Sequence, residues 1–316
     1  MKRRNFIRLG VAGGAVLQFP NLLGINYANA KYDMPKREFG NTGEKLSIVG
    51  FGGIVLRNNG QEFANRLIQE AYENGINYYD VAPGYGDAQQ LMGPALEPYR
   101  KNSFLACKTN KRNKKESEEE LNDSLKKLKT DHFDLYQFHA IRTMDDVEKI
   151  FGPGGAMETF EKARKEGKVK YLGFSAHDEE AALKAMEMFD FDSILYPFNC
   201  VCWKQGNFGP KVFETAKRKG VARLALKAVA KTRRNGKDKP YPNMWYLPFE
   251  EEKMMENAFR FTLSKDLTST VHAGDEKFFG KTIEFVRSRK EILPPDEQEL
   301  SAMIEGIEPL FRYQPA

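Results

Sequence analysis

The sequence predicts a single-domain α/β protein of the (β/α)8 barrel class, with an N-terminal hairpin closing the barrel base. Three observations carry this expectation. Eight short runs rich in β-branched and aromatic residues recur between residues 46 and 274. Segments with helical spacing separate them, and such alternation implies parallel strands covered by helices. No G-x-G-x-x-G follows the first run and no linker-like stretch divides the chain, so eight strands favour closure over an open dinucleotide-binding sheet or two domains.

The elements follow in order. "KREFGNTGEKLS" has turn chemistry at Asn41 to Glu44 and reads as the hairpin. The strands are "LSIVGFGG" (46–53), "INYYDVA" (76–82), "SFLACKT" (103–109) and "FDLYQFHA" (133–140), then "VKYLGFSA" (169–176), "FDSILYPFN" (191–199), "VARLALKA" (221–228) and "TSTVHAG" (268–274). Helical spacing runs through 62–75, 116–129, 157–167, 179–189, 210–220 and 254–265, and several of these segments end in Gly just before the next strand, as helix C-caps do. Residues 231–250, after the seventh strand, form a long connection of the kind that serves as a lid or binding loop, or else lies solvated on the surface.

Residues 1–30 read as an export signal rather than as part of the barrel, which is expected to occupy 31–316. Arg3-Arg4 and Arg8 precede an apolar, glycine-rich run that ends in the small-residue pattern Ala28-Asn29-Ala30. The adjacent arginines point to the twin-arginine route, hence to a periplasmic or cell-envelope location, with membrane attachment only if the signal stays uncleaved. The net charge of +5 includes four basic residues and no acid within 1–30, which leaves about +1 for the remainder. That balance asks for neither nucleic acid nor an anionic membrane. Three cysteines, Cys107, Cys200 and Cys202, make neither a disulfide framework nor a four-ligand zinc site. Cys200 and Cys202 are read as sharing one face of an extended segment.

In a barrel of this class the reactive groups sit at the C-terminal ends of the strands. There the sequence places Asp80, with Tyr85 in the loop beyond, then Lys108, His139, Ser175, His177 and His272. A phenol titrates near 10, too high for ready proton donation at neutral pH, and a nearby ammonium lowers that value. Lys108 is expected to do so, with Asp80 holding it charged and His139 orienting a carbonyl oxygen. Such a site requires a hydride from elsewhere, hence a nicotinamide. If Lys108 points into the site, Cys107 points toward the helices.

At these residues the chain resembles the aldo-keto reductase superfamily. The resemblance rests on "REFGNTGEKLSIVGFGG", "YDVAPGYGDAQQLMGPAL", "CKTN", "DLYQFHAI" and "GKVKYLGFSAH". The family's Asp, Tyr, Lys and His are met in order by Asp80, Tyr85, Lys108 and His139. The resemblance implies reversible carbonyl reduction with Tyr85 as the acid, an extended NADP(H) with NAD(H) as the alternative, and a small carbonyl or alcohol substrate such as a sugar. It implies cofactor contacts at Gly52, at Ser175 for the carboxamide, at Phe198 for ring stacking, at Lys227 and Lys231 for the pyrophosphate, and at Gly274 and Lys277 for the 2′-phosphate end. The family's Ser-Asn is here Ser175-Ala176, its strand-six Gln is Leu195, and its usual Ile-Pro-Gly or Ile-Pro-Lys-Ser gives way to "VHAGDEKFFGK", where Asp275 would repel a 2′-phosphate. Export adds the expectation of a tightly held cofactor, recycled by a second substrate or partner. Trp203, Phe208, Trp245 and Tyr246 are expected near the mouth. Two rivals stand beside this reading: a metal-dependent barrel enzyme using Asp80, His139, His177 and His272, and a nucleotide-binding barrel without turnover.

Overall fold

The computed structural model describes residues 32–236 and 239–313. The proposed signal at 1–30 lies outside the described residues. Among the described residues no helix is long and apolar enough to cross a membrane.

The first strands among the described residues form the hairpin, β1 (Lys36–Glu38) and β2 (Lys45–Ser47), paired antiparallel. The barrel strands are β3 (Val49–Gly52), β4 (Tyr78–Asp80), β5 (Phe104–Thr109), β6 (Phe133–Ile141), β7 (Val169–Ala176), β8 (Ser193–Tyr196), β9 (Ala222–Leu226) and β12 (Ser269–Val271). They close in the order β12-β3-β4-β5-β6-β7-β8-β9, every neighbouring pair parallel. All eight strands coincide with the runs read from the sequence. The connection after β9 is not structureless. Its ends, β10 (Ala230–Arg233) and β11 (Tyr246–Pro248), pair as an antiparallel ribbon.

The helices are α1 (Gln61–Glu73), α2 (Ala88–Leu96), α3 (Lys114–Lys127), α4 (Met144–Phe151), α5 (Ala156–Lys165) and α6 (Glu179–Met188), then α7 (Cys200–Lys204), α8 (Pro210–Arg218), α9 (Glu252–Leu263), α10 (Glu276–Arg287) and α11 (Glu297–Ile304). Side-chain caps start several of them. Asn113, Thr143, Asp178, Asn199 and Asp275 each accept a backbone N–H from the first turn. The cap at Asn199 corrects one expectation. Cys200 and Cys202 begin α7 rather than lying in an extended segment, so they diverge around a helix instead of sharing a face. Both are buried, as is Cys107.

Strand alternation divides the core in two. Val49, Phe51, Tyr79, Leu105, Cys107, Phe138 and Phe174 face outward into the large layer between barrel and helices. Phe39, Leu46, Tyr78, Phe104, Ala106, Leu135, Leu195 and Leu224 fill the interior. The hairpin does close the base. Phe39 packs edge-on against the stacked pair Phe104 and Tyr171, at 5.1 and 5.5 Å. Gly40, at φ +56°, makes this approach feasible, since a Cβ there would lie 2.5 Å from the Gly220 carbonyl oxygen. Arg37 fixes the hairpin by donating to the carbonyls of Leu263, Lys265 and Leu267 at the end of α9.

Candidate active site

The opposite end of the barrel carries charge. On β4, Tyr78 and Asp80 point inward, and glycine at position 50 on the neighbouring strand leaves space for the Tyr78 ring, which a Cβ would meet at 2.4 Å. The Tyr78 hydroxyl donates to Asp80 Oδ2 at 3.2 Å. Lys108, inward on β5 and fully buried, donates to the other carboxylate oxygen of Asp80 and, at 3.3 Å, to the Val81 carbonyl. Tyr85 lies in the turn beyond β4, its N–H donating to the Ala82 carbonyl. Lys108 Nζ sits 5.4 Å from the centre of the Tyr85 ring, and the His139 ring stands edge-on to it at 5.8 Å. The structure therefore brings Asp80, Tyr85, Lys108 and His139 into one group at the mouth.

Electrostatics assigns each group a charge state. Burial works to lower the Lys108 pKa, but Asp80 and the Tyr85 phenol outweigh it, so Lys108 is raised and stays cationic. Burial raises the Tyr85 phenol and outweighs the opposing charge and hydrogen bond of Lys108. The expected lowering of this phenol by Lys108 is thus present but is not the larger effect; at neutral pH Tyr85 is fully protonated. His139 is pushed well below the usual histidine range by burial and by the cations Lys108, Lys227, Arg112 and Arg142, so it is neutral, and its Nδ1 is buried with no hydrogen-bond partner among the described residues.

The residues expected to hold a cofactor divide into two sets. Ser175 is buried at the end of β7, and its hydroxyl accepts the Ala140 N–H at 2.7 Å. Lys227 is half-buried at φ +62°, its ammonium 5.5 Å from the Trp245 ring. Burial lowers its pKa to about 7. Lys231 follows on β10. Ser175 and Lys227 face the same end of the barrel as the catalytic group. Phe198 does not join them: it is fully buried on the helix side, against Tyr196, Trp203 and Phe213. At Gly52 a Cβ would meet Val271 Cγ1 at 2.8 Å, so its smallness serves strand packing. At Gly274 a Cβ would meet the Asn243 carbonyl at 3.0 Å, within the ribbon's own loop. Lys277 lies 3.9 Å from Glu250 and over Tyr241, while Asp275 and Glu276 place two acids at the start of α10.

The aromatic that does reach the mouth is Trp245, 40% exposed, with Arg233 as well as Lys227 over its ring. Tyr246 beside it is buried. Trp203 packs inward against Phe213 and Phe261, and Phe208 stacks on Tyr196 and Phe311. Phe311, from the C-terminal tail, also stacks on His177 at 4.8 Å. A polar cavity of about 610 Å³ opens beside this stack, lined by His177, Thr232, Arg233, Phe311 and Tyr313 among others. The sequence reading missed Tyr78, although its spacing of two from Asp80 puts both on the inner face of one strand, and it missed Phe311 and Arg112, whose partners lie far away in the chain.

The metal arrangement finds no geometry here. His272 packs outside the barrel against Phe51 and Phe279, and Asp80 is committed to Lys108 and Tyr78. Among the described residues no three His, Cys, Asp or Glu side chains converge.

Comparison with known proteins agrees with this geometry. A model described as "Aldo/keto reductase family" matches residues 49–271, from the first residue of β3 to the last of β12. An oxidoreductase of Bacillus subtilis is 29% identical over 180 residues, 52% of this chain and 56% of its own. The L-galactose dehydrogenase of Arabidopsis thaliana is 27% identical over 154 residues, 44% of this chain and 47% of its own. The 6-dehydroglucose reductase of Novosphingobium aromaticivorans is 31% identical over 169 residues, 46% of this chain and 54% of its own. The chain thus spans about half the length of the curated relatives it matches. Among solved structures, an aldo-keto reductase of Bacillus halodurans in its holo form superposes with a TM-score of 0.68 at 25% identity, covering 89% of this chain and 99% of that one.

Proposed function

The chain belongs to the aldo/keto reductase family, and from that premise we propose that it is a nicotinamide-dependent oxidoreductase interconverting a small carbonyl compound and its alcohol. The observation that carries the proposal is the convergence of Asp80, Tyr85, Lys108 and His139 at the barrel mouth.

The residues at the mouth fit the nicotinamide and pyrophosphate end of such a cofactor. Ser175 accepts from Ala140 through its oxygen and keeps its own proton to donate to a carboxamide. Lys227 has no acidic partner among the described residues and suits a phosphate. When bound, the nicotinamide supplies or accepts the hydride. Neutral His139 points an N–H at the substrate oxygen. Tyr85 donates its proton as that oxygen gains charge, and Lys108, kept cationic by Asp80, stabilises the phenolate left behind. Burial raises the phenol pKa and so opposes proton loss, which makes the stabilisation of the phenolate by Lys108 the condition for donation. At the start of α10 the acids Asp275 and Glu276 oppose a 2′-phosphate while Lys277 attracts one, so NADP(H) and NAD(H) are to be compared directly.

We propose further that the substrate is a sugar or a similar polyol. Two relatives carry sugar names, and Trp245 with its flanking cations offers a ring face beside charged donors. Residues 1–30 are proposed to direct export, with a tightly held cofactor. A screen of aldehydes, ketones and keto-sugars in both directions with both nucleotides tests the activity, and absence of turnover throughout would refute it. Loss of export of a reporter fused to residues 1–30 upon Arg3→Lys with Arg4→Lys tests the location. Mass spectrometry of the purified mature protein tests cofactor retention.

A further inference from the structure

We propose that Arg112, braced by Asp146 and acting with Ser175, is a positioning unit that fixes a bulge in β6 and thereby aims His139. This rests on the reading of His139 as an active-site group.

The register shows the bulge. Phe138 pairs opposite Phe174 and Ile141 opposite Ala176, so His139 and Ala140 together face the single residue Ser175. The extra residue has a clear consequence. Leu135, Gln137 and His139 point into the barrel by simple alternation, and without the bulge Ile141 would follow them. With it, Ile141 returns to the outer layer and is fully buried among the helices, while His139 alone faces the mouth.

Ala140 adopts the left-handed region, φ +53°, which a side chain with a Cβ disfavours. Such a conformation persists only where its surroundings over-determine it. Here they do. The Ala140 N–H donates to Ser175 Oγ at 2.7 Å. One guanidinium nitrogen of Arg112 donates to the carbonyls of His139 and Ala140, at 2.8 and 3.4 Å. Arg112 Nε donates to Asp146 Oδ1 at 2.9 Å, and the other Asp146 oxygen accepts the Arg142 N–H at 2.8 Å. Asp146 belongs to the first turn of α4, where its own N–H is capped by Thr143 Oγ1. A continuous chain of bonds thus runs from α4 to the peptide that carries His139. The same guanidinium adds to the cations facing the imidazole. Those are Lys108 from β5, Lys227 beyond β9 and Arg142 beyond β6; the Tyr85 phenol and His177 complete the surroundings.

The test combines kinetics with a readout independent of turnover. Only four histidines are present, so labelled side chains can be titrated and assigned by NMR. Arg112→Met is expected to lower kcat by about tenfold or more through misplacement of the imidazole, with nucleotide Kd kept, and to raise the His139 pKa toward the ordinary value. Arg112→Lys is expected to lose kcat but leave the His139 titration in place, since charge remains and the fork is lost. If Arg112→Met fails to fold, Asp146→Asn decides, with an expected fall in kcat of about threefold for one weakened hydrogen bond. A folded Arg112→Met with unchanged kcat and unchanged His139 titration overturns the proposal. So does an unchanged kcat in Asp146→Asn when that variant decides. If the wild type turns over no carbonyl, the catalytic reading fails, and the titration alone still separates a raised His139 pKa in Arg112→Met from an unmoved one.

Discussion

The two ends of the barrel are built from the same eight strands with the same inward alternation, yet opposite chemistry fills them. At the base, Phe39 from the hairpin closes a stack with Phe104 and Tyr171. At the mouth, Lys108 and Asp80 are buried together, with Tyr85 and His139 half-buried above them. Aromatic packing stabilises by area removed from water and geometry. Buried charge costs stability, and its pair repays that cost only when both partners stay. The base is therefore where stability is concentrated, and the mouth is where stability has been given up for chemistry.

The largest expected effect separates the ends outright. Tyr85→Phe keeps the ring and removes the proton, so kcat should fall by about 10²–10⁴ while nucleotide affinity and melting temperature hold. A variant that retains turnover would remove Tyr85 from the reaction. Lys108→Met is the position where the two ends stop behaving differently. It leaves Asp80 buried with only Tyr78, so a loss of roughly 3–5 kcal/mol in stability should accompany the loss of activity. Adding Asp80→Asn should restore much of the stability and none of the turnover, as urea titration and assay of the double variant would show.

Phe39→Ala tests the base. It should cost about 3–5 kcal/mol in urea unfolding, while kcat per folded molecule stays at the wild-type value. A change in kcat would mean that the plug reaches the mouth. His272, on the outer face, gives a pH-dependent version of the same contrast. Burial lowers its pKa from 6.5 to about 4. The unfolded chain takes up a proton near pH 6.5 that the folded chain refuses until about pH 4, so stability falls as pH drops through that window. The loss should approach about 3 kcal/mol, and His272→Asn should flatten that part of the stability curve. A curve of unchanged slope would place the acid sensitivity elsewhere.

The base was as legible in the sequence as the mouth, for different reasons. The eight strands and the hairpin follow from alternation and turn residues, which are local. The placing of Asp80, Tyr85, Lys108 and His139 at the mouth was legible because each lies near the C-terminal end of a strand or in the turn just beyond it. Phe198 was misread because stacking at the mouth and packing under α8 make the same demand on an aromatic; only the direction of its side chain, in the turn beyond β8 and against Tyr196, Trp203 and Phe213, decides. Cys200 and Cys202 were misread because the Asn199 cap turns the chain into a helix one residue after the strand signal ends. Arg112 was invisible because its partners lie 27 to 34 residues away.

The smallest expected effect sharpens the contrast most finely, because it concerns a charge that the mouth holds in reserve. Lys227 is lowered to about 7 by burial, with Lys108 and Arg142 adding to the effect. At pH 8 it is therefore largely neutral. A phosphate placed beside it would favour the ammonium and raise its pKa, so nucleotide binding at pH 8 should take up roughly one proton. Calorimetry in buffers of different ionisation enthalpy measures this uptake directly. Lys227→Met should abolish it and weaken nucleotide binding by about tenfold, the scale of one charge-assisted hydrogen bond. Uptake that survives this substitution would assign the titrating group to His139 or His177 instead, and the pyrophosphate to another part of the mouth.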